Sequence, residues 1–254
     1  MPNTTKVPLM RQRLDHELVA RKLARTRAQA RDLILRGEVT VDGLAAVKPG
    51  QPVSASAEIS ITGGSARYVS RGALKLIAGL DAFGFDPSGL VALDVGASTG
   101  GFTQVLLERG AAKVYAVDVG KGQLDTQLSC DPRVVALEST DARKLSTDLV
   151  VDPVAALVAD LSFISLQKAL PAALTLTGPA AFLVVLVKPQ FEVGRDAVGK
   201  GGVVRDEAQR QAAVDGIAAW INSYPGWKLA GVVESPISGG DGNKEYLLGA
   251  KRHG

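Results

Sequence analysis

The chain has 254 residues and a formal net charge of +3, and 46% of its residues are hydrophobic and 22% charged. This composition is ordinary for a globular protein, and the length suits one large domain or two of ordinary size. No apolar run reaches the roughly 18 residues of a membrane span, and the N-terminus lacks the apolar stretch of a signal peptide. Cys130 is the only cysteine, which excludes an internal disulfide and favours a reducing cytoplasm.

The basic residues are concentrated at one end of the chain. Residues 1–60 contain ten Lys/Arg and six Asp/Glu, so this segment carries +4 and the remainder carries −1. Such a segment is typical of one that meets a polyanion. No metal centre is expected, because His16, His253 and Cys130 show no recognised ligand spacing.

The first 61 residues predict a small module of two helices followed by strands. Leucines at helical spacing predict a first helix: Leu14, Leu18 and Leu23. Thr26 and Gln29 form a capping-box pattern that opens a second helix, and Gly37 is placed to end it. The second helix turns three apolar residues inward: Ala30, Leu33 and Ile34. The segments "EVTVDG" and "AEISIT" alternate as strands do.

Arginines are the candidate polyanion contacts of this module, although a plain solvated helix face is the alternative. The segment "LARTRAQARDLILRGEVTVDG" resembles the alpha-L RNA-binding fold of a small-subunit ribosomal protein and of pseudouridine synthases. The resemblance implies that the arginines contact RNA phosphates and recognise the shape of the RNA, and that they do not read base edges. The candidate RNA-binding residues are Arg11, Arg13, Arg25, Arg27, Arg31, Arg36 and, beyond the module, Arg71.

A different pattern begins after the short joint "TGGSA". The apolar runs "GLVAL", "KVYAV", "VAALVA" and "AAFLVVLV" alternate with helical stretches, as in a parallel sheet covered on both faces. The prediction is therefore an α/β fold preceded by a small α+β domain. We place the first domain at residues 1–61, a linker at 62–69 and the second domain at 70–254.

Charged residues end the apolar runs of the second domain. The four runs stop at Asp94, Asp118, Asp160 and Lys188. Because the carboxyl ends of parallel strands share one edge of an open sheet, and ligands bind at that edge, we expect these four side chains to lie near a site.

The first strand leads into "DVGASTGGFT", whose glycines allow close approach of the backbone to a ligand. The spacing is neither G-x-G-x-x-G nor a Walker motif, which weakens the dinucleotide and nucleoside-triphosphate interpretations. With Asp118 at the end of the next strand, where an acid commonly binds ribose hydroxyls, the pattern resembles the S-adenosylmethionine site of a Rossmann-like methyltransferase. That resemblance places Asp141 on the adenine amino group. The implied cofactor-binding residues are Asp94, Gly96, Ala97, Ser98, Thr99, Gly100, Gly101, Phe102, Asp118, Asp141 and Asp160.

Lys75 stands out within the helical stretch "SRGALKL". The apolar stripe of this helix comprises Ala73, Leu76, Ile77 and Leu80. Helical projection puts Lys75 opposite that stripe, so by itself the stretch predicts a solvated lysine.

The fourth strand ends in "ADLSF", which lacks the Asn/Asp-Pro-Pro-aromatic tetrad of exocyclic-amine methyltransferases. Methylation of a pyrimidine carbon needs a cysteine nucleophile, and Cys130 lies away from this edge. A ribose hydroxyl remains, which requires a base and a positive environment. The motifs "SRGALKL", "ADLSF", "VLVKPQFE" and "GNKEYLL" resemble, in order, those of the FtsJ-related ribose 2′-O-methyltransferases. The resemblance implies a catalytic tetrad of Lys75, Asp160, Lys188 and Glu245.

The chain around Glu245 supports this assignment. "KLAGVVE" and "EYLLGA" flank a turn-rich segment and predict a hairpin whose last strand is antiparallel. Glu245 would then lie at the same edge as the ends of the parallel strands. Lys188 is the expected base: desolvation and the neighbouring Lys75 favour loss of its proton, whereas Asp160 and Glu245 orient the amines and oppose that loss.

The two parts together resemble the TlyA family over essentially the whole chain. This implies an rRNA (cytidine-2′-O)-methyltransferase that uses S-adenosylmethionine and acts on ribosomal RNA or ribosomal subunits, without a membrane partner. Two alternatives stay open: an RNA-binding assembly factor that retains the fold without catalysis, and a membrane-active haemolysin, which the family's historical label suggests. The sequence ends nine residues after Glu245. Since some family members continue further, subunit preference stays open.

The glycine-rich segment Phe191–Asp206 follows Lys188 directly and carries Arg195, Lys200 and Arg205. It predicts either a loop that closes over RNA or a plain surface loop.

Overall fold

The computed structural model describes residues 11–62, 67–194, 198–199, 201–239 and 242–253. The chain divides into two compact units, Met1–Ser70 and Arg71–Gly254. Within the described ranges, no helix combines the length and the apolar character that crossing a membrane requires.

The first unit packs two helices on short strands. Its elements are β1 (Arg11–Arg13), α1 (Leu14–Ala20), α2 (Arg27–Leu35), β2 (Val39–Val41), β3 (Leu44–Ala45), β4 (Pro52–Ser54) and β5 (Ile59–Ile61). Strands β3, β2 and β5 pair antiparallel in that order, and β1 pairs antiparallel with β4. Both predicted helices and both predicted strands are present, although Leu23, predicted on the first helix, lies beyond its end. Strands β1, β3 and β4 were not predicted.

The predicted start and end of α2 are confirmed. Thr26 Oγ1 accepts a hydrogen bond from Gln29 N at 3.1 Å, and Gln29 Oε1 accepts one from Arg25 N at 2.7 Å. These bonds satisfy backbone donors that the first turn leaves unpaired. The helix ends at Leu35, and Gly37 follows with a φ of 72°.

The second unit is a seven-stranded sheet with helices on its faces. Its helices are α3 (Gly72–Phe83), α4 (Gly101–Glu108), α5 (Thr126–Ser129), α6 (Leu166–Ala169), α7 (Pro171–Thr175), α8 (Pro189–Glu192) and α9 (Glu207–Ser223). Its strands are β6 (Val91–Val95), β7 (Lys113–Val117), β8 (Val134–Leu137), β9 (Val154–Ala159), β10 (Thr177–Val187), β11 (Trp227–Glu234) and β12 (Tyr246–Arg252).

The strand order is β11-β12-β10-β9-β6-β7-β8. Strands β6 to β10 pair in parallel, and β12 runs antiparallel between β10 and β11. The predicted hairpin is therefore present. The four parallel strand ends and the start of β12 meet at one edge of the sheet, as expected.

Helix α3 packs closely on β12 because each element has a glycine, Gly79 or Gly249, where a side chain of the opposite face approaches. A Cβ added to Gly79 would lie 2.8 Å from Val184 Cγ1 and 3.5 Å from Leu247 Cδ2, and one added to Gly249 would overlap the Phe83 ring. Four residues along a helix advance about 6 Å and two residues along a strand advance about 6.8 Å. A step of four residues on α3 therefore matches a step of two residues on β12. Lys75, four residues before Gly79, consequently meets the residue two before Leu247, which is Glu245.

This packing corrects one expectation for Lys75, the solvated position that its helical stretch alone predicts. Lys75 is 8% exposed and does not lie on a solvated face. Ala73, Leu76 and Leu80 are buried as predicted, but Gly79 is buried too. Helical projection identified only the apolar side, whereas α3 also buries the side that carries Lys75 and Gly79.

Candidate active site

A tight turn after β6 brings the backbone of Gly96 against Asp160. Gly96 has a φ of 87°, and a Cβ at this position would lie 2.5 Å from the backbone oxygen of Asp160. Gly96 N and Ala97 N both donate to Val117 O, at 2.8 and 3.0 Å, which fixes the turn to the end of β7. Only glycine satisfies both the positive φ and the close approach.

A cavity of about 370 Å³ opens beside this turn, at the carboxyl ends of β6, β7 and β9. Its volume lies within the range of about 300–1,000 Å³ that is usual for small-molecule sites. Aliphatic side chains and a few polar groups form its wall, which suits a ligand with an apolar ring and hydroxyl groups. The lining residues are Val95, Gly96, Ser98, Val117, Asp118, Val119, Gln123, Thr140, Ala142, Asp160, Leu161, Ser162 and Phe163.

Asp118 is held in the cavity wall by backbone donors on both sides. Oδ2 accepts a hydrogen bond from Ser98 N and Oδ1 accepts one from Gly120 N, each at 2.7 Å. The segment after Asp118 is fixed in turn by Glu138, whose carboxylate accepts hydrogen bonds from Gly122 N, Gln123 N and Leu124 N. These three bonds lower the pKa of Glu138. Asp118 is thus oriented before any ligand arrives.

The other residues expected at the cofactor are placed differently. Five of them belong to the turn that leads into α4 and do not line the cavity: Ala97, Thr99, Gly100, Gly101 and Phe102. Asp141 does not line it either, although Thr140 and Ala142 do. The Arg143 guanidinium bonds both oxygens of Asp141 and lowers the pKa of this carboxyl to about 2. Asp141 would have to share its carboxylate between Arg143 and a ligand.

Asp94 lies beneath the turn, fully buried and outside the cavity lining. Its Oδ2 accepts a hydrogen bond from Thr103 Oγ1 at 2.7 Å, whereas its Oδ1 has no hydrogen-bond partner within the described part of the chain. Burial raises the pKa of Asp94 to about 7 against the opposing Thr103 hydrogen bond, and nearby Asp160 adds to the rise. Asp94 therefore supports the turn rather than forming part of the wall.

The four residues of the predicted tetrad form two ion pairs at the sheet edge. Lys75 Nζ donates to Glu245 Oε2 at 2.5 Å, and Lys188 Nζ lies 2.6 Å from Asp160 Oδ1. Lys75, Lys188 and Glu245 are 8%, 9% and 2% exposed, so these charges are largely withdrawn from water. Burial of paired charges at a ligand-binding edge is typical of a functional site.

The strand register brings the two pairs to the same edge. Val187 pairs with Tyr246 between the antiparallel strands β10 and β12, so Lys188, which follows Val187, and Glu245, which precedes Tyr246, lie at the same edge. Val185 pairs with Ala159 between β10 and β9, and Asp160 follows Ala159.

Sequence reasoning missed several residues that position the tetrad. Ser162 Oγ accepts a hydrogen bond from Lys188 Nζ at 2.8 Å. This contact has hydrogen-bond geometry, whereas the contact of Lys188 with Asp160 is an ion pair. Glu192 accepts bonds from Ser165 Oγ and Leu166 N at 2.6 and 2.9 Å, which join the segment after β9 to α8, and its burial raises its pKa. The only sequence signal for them was their proximity to "ADLSF" and "VLVKPQFE".

Phe163, at the cavity wall, is 90% exposed and contacts Phe191, with ring centroids 5.2 Å apart and the rings tilted by 50°. Phe191 and Glu192 belong to α8, so the predicted loop begins only after them. Arg195 and Lys200, which were expected to act in that loop, lie outside the described residues. Arg205 is exposed.

The arginines of the first unit differ in their pairing. Arg13 and Arg27 both bind the buried carboxylate of Asp15, which Arg13 holds at a pKa of about 2. Arg36 is ion-paired with Asp32 and Glu38. The remaining RNA candidates of this unit, Arg11, Arg25 and Arg31, are exposed, and in the second unit Arg71 precedes α3.

Two family models match the chain. Residues 68–252 match the FtsJ-like methyltransferase family, and residues 12–59 match the S4 domain. Each match falls on one of the two patterns that the sequence separates.

Individual relatives are similar over nearly the whole chain. The chain is 51% identical to the 16S/23S rRNA (cytidine-2′-O)-methyltransferase TlyA of Mycobacterium tuberculosis, over 94% of its own length and 89% of the relative. It is 37% identical to Hemolysin A of Brachyspira hyodysenteriae, over 92% of its own length and 98% of the relative. A solved structure described as a "putative hemolysin" from Streptococcus thermophilus has a TM-score of 0.75 and 36% identity, covering 96% of this chain and 90% of that one.

Proposed function

The chain belongs to the FtsJ-like methyltransferase family and, within it, to the TlyA family, and we propose that it methylates the 2′-hydroxyl of a cytidine in ribosomal RNA with S-adenosylmethionine. The observation that carries this proposal is the pair of buried ammonium–carboxylate contacts, Lys75–Glu245 and Asp160–Lys188, next to a cavity of ligand size. A ribose hydroxyl is a weak acid, and a site that methylates it needs a base and fixed positive charge. Lys188 and Lys75 are the residues that we propose for these two roles.

The residues of the cavity fit S-adenosylmethionine, which supplies an electrophilic methyl group when bound. The Asp118 carboxylate would accept hydrogen bonds from ribose hydroxyls, as acids at this strand end commonly do. Val117 and Val119 offer apolar contact to an adenine ring, and the Gly96–Ser98 turn allows close backbone approach. Asp141, beside the lining residues Thr140 and Ala142, is the proposed partner of the adenine amino group.

Each member of the tetrad has a distinct proposed role. Lys188, once deprotonated, would take the proton of the 2′-hydroxyl. The ribose oxygen would then take the methyl group, as the bond from the methyl carbon to the sulfonium sulfur of S-adenosylmethionine breaks and the neutral thioether leaves. Lys75 provides the fixed positive charge for the developing alkoxide. Asp160 and Glu245 orient the two amines, as their contacts at 2.6 and 2.5 Å indicate. Most of the rate gain in such a site comes from alignment and preorganised charge.

We further propose a division of labour between the two units. The S4-matching residues, with exposed arginines on α2 and beside it, supply affinity for ribosomal RNA or for a ribosomal subunit, and the second unit supplies the chemistry. The proposed boundaries stay at 1–61 and 70–254 with a linker at 62–69. Because ribosomal RNA is a cytoplasmic substrate, we propose a cytoplasmic location for the protein.

The direct test is mass spectrometry of ribosomal RNA. Subunits from cells that lack this gene are incubated with S-adenosylmethionine and either the wild-type protein or the Lys188→Met variant. We expect one cytidine to gain 14 Da in its ribose with the wild-type protein only, since each replaced hydrogen adds a CH₂ to the nucleoside. If the wild-type protein binds the subunits but methylates none of them, the proposed enzymatic activity is overturned and an assembly factor is favoured.

A further inference from the structure

We propose that Asn243 is a positioning residue for Glu245, an inference that rests on the methyl transfer proposed above. Asn243 lies two residues before Glu245, in the turn between β11 and β12, and is 1% exposed. A buried carboxamide is costly unless both its oxygen and its nitrogen have partners. Both have them, and both partners belong to one segment from elsewhere in the chain.

The carboxamide of Asn243 holds the segment Gly202–Val204 against the turn. Its Oδ1 accepts a hydrogen bond from Val204 N at 3.0 Å, and its Nδ2 donates to Gly202 O at 2.9 Å. On its other side, Val204 O accepts a hydrogen bond from Arg210 Nη1 of α9 at 3.1 Å. The segment is therefore fixed both to α9 and to the turn that precedes Glu245.

The backbone of Asn243 closes the same turn onto the Glu245 carboxylate. Gly239 N donates to Asn243 O at 2.9 Å. Gly239 lies so near that a Cβ added to it would be 2.5 Å from Glu245 Oε1. Lys75 holds the other carboxylate oxygen, Oε2. One oxygen is thus bonded to an ammonium, and the other is covered by a turn that Asn243 fixes.

This arrangement explains why Glu245 is 2% exposed at the very end of a hairpin turn. Excluding water lowers the local dielectric constant and strengthens the contact with Lys75. If the carboxamide bonds are removed, the turn loosens, water reaches the carboxylate, and Lys75 loses a fixed partner. A misplacement on the order of 1 Å at a reacting group can lower a rate about 100-fold.

The test compares Asn243→Ala and Asn243→Asp in the full-length protein on ribosomal subunits that lack the modification. For Asn243→Ala we expect cooperative thermal unfolding, S-adenosylmethionine affinity within about twofold of wild type, and a kcat lowered roughly 10- to 100-fold. Asn243→Asp keeps the acceptor for Val204 N but sets a carboxylate oxygen against Gly202 O. Protonation restores a donor there, so the kcat of this variant, relative to wild type, should recover toward acidic pH while that of Asn243→Ala stays low.

Gly239→Ala provides a second variant that leaves the Asn243 side chain intact. Its added methyl group displaces the Glu245 carboxylate, and we expect the same loss of kcat with unchanged cofactor affinity. Gly216→Ala in α9 is the matched control, because a Cβ there meets nothing within 4 Å, and it should retain wild-type kcat. If Asn243→Ala does not fold, Gly239→Ala still tests whether kcat depends on the position of Glu245, and the pH dependence of Asn243→Asp tests the carboxamide.

This inference would be overturned, without the proposed function, if the wild-type protein is active and the kcat of Asn243→Ala is unchanged. Where Asn243→Ala does not fold, an unchanged kcat of Gly239→Ala has the same consequence. Parallel losses of cofactor affinity and kcat would also overturn it, because they indicate general unfolding of the site. A wild-type protein that methylates no subunit would overturn the proposed function, and the role of Asn243 with it.

Discussion

Lys75 and Glu245 are 170 residues apart in the sequence, yet their charged atoms are 2.5 Å apart in a nearly dry contact. Each charge is buried because the other is present. Removing one partner therefore has two separable consequences: the site loses a catalytic group, and the remaining charge stays buried without its counterpart.

The first prediction separates these consequences. Lys75→Ala should lower kcat about 100- to 1,000-fold, as expected for the loss of one preorganised electrostatic contact. It should also lower the free energy of unfolding by about 3–5 kcal/mol, since Glu245 is left unpaired. The double variant Lys75→Met/Glu245→Gln removes both charges and should recover most of this stability but no activity. Urea unfolding and methyl-transfer assays of both proteins measure the two effects.

Near-normal turnover in a folded Lys75→Ala protein would remove Lys75 from the tetrad. Failure of the double variant to recover stability would contradict the view that the unpaired carboxylate causes the loss. Lys75→Arg is not expected to restore turnover, because a guanidinium does not reproduce the compact ammonium geometry.

The second prediction concerns Asp94 and the dependence of stability on pH. Burial raises the pKa of Asp94 from 3.8 to about 7, so between these values the folded protein holds a proton that the unfolded chain has lost. Stability contributed by this group is therefore present below about pH 4, falls as the pH rises to 7, and is flat above it. At about 1.4 kcal/mol per pH unit, the fall amounts to up to about 4 kcal/mol.

Asp94→Asn keeps an acceptor for Thr103 and cannot ionise, so its unfolding free energy should not show this fall. Measuring urea unfolding of both proteins between pH 4 and 8 isolates the effect, because other groups titrate alike in each. The carboxyls of Asp15 and Asp141, with a pKa of about 2, change their contributions below this range. Parallel pH profiles for the two proteins would show that Asp94 is charged in the folded state throughout.

The sequence predicted the sheet edge well because its signals are local. Apolar runs that end in Asp94, Asp118, Asp160 and Lys188, combined with the rule for parallel sheets, place four ionisable side chains at one edge. Family motifs added Lys75 and Glu245. The cavity and the ion pairs then follow from the topology.

Other features depend on packing between distant segments, which no local period encodes. The contact of Gly79 with Val184 and Leu247 buries the side of α3 that carries Lys75, a side that helical projection predicted to be solvated. Asn243 gave no sequence signal, because its partners Gly202 and Val204 lie about 40 residues away along the chain.

The third prediction tests Asp118 as a cofactor ligand. Asp118→Ala should weaken S-adenosylmethionine binding roughly 10- to 100-fold, since a hydrogen bond to a charged group contributes about 1.5–3 kcal/mol. Asp131→Ala is the matched control: Asp131 is a carboxylate ahead of β8, at the opposite end of the strand, and its loss should leave the affinity unchanged. Titration calorimetry measures both. Equal affinities for the two variants would exclude Asp118 from the site.

The last prediction concerns RNA affinity and compares two arginines of the first unit. Arg31 is exposed on α2 and forms no ion pair within the described part of the chain, whereas Arg36 is paired with Asp32 and Glu38. An unpaired cation releases more counterions when it meets a phosphate. Arg31→Ala should therefore reduce the slope of log K against log salt by about 0.7–0.9, the value for one phosphate contact. Arg36→Ala should change the slope less, because the charge of Arg36 is already offset by two carboxylates.

Filter binding of ribosomal RNA at several salt concentrations, with thermal unfolding to confirm that both variants fold, measures the difference. Identical slopes for wild type and Arg31→Ala would indicate that the α2 arginines form an ordinary solvated helix face, the alternative that the sequence left open.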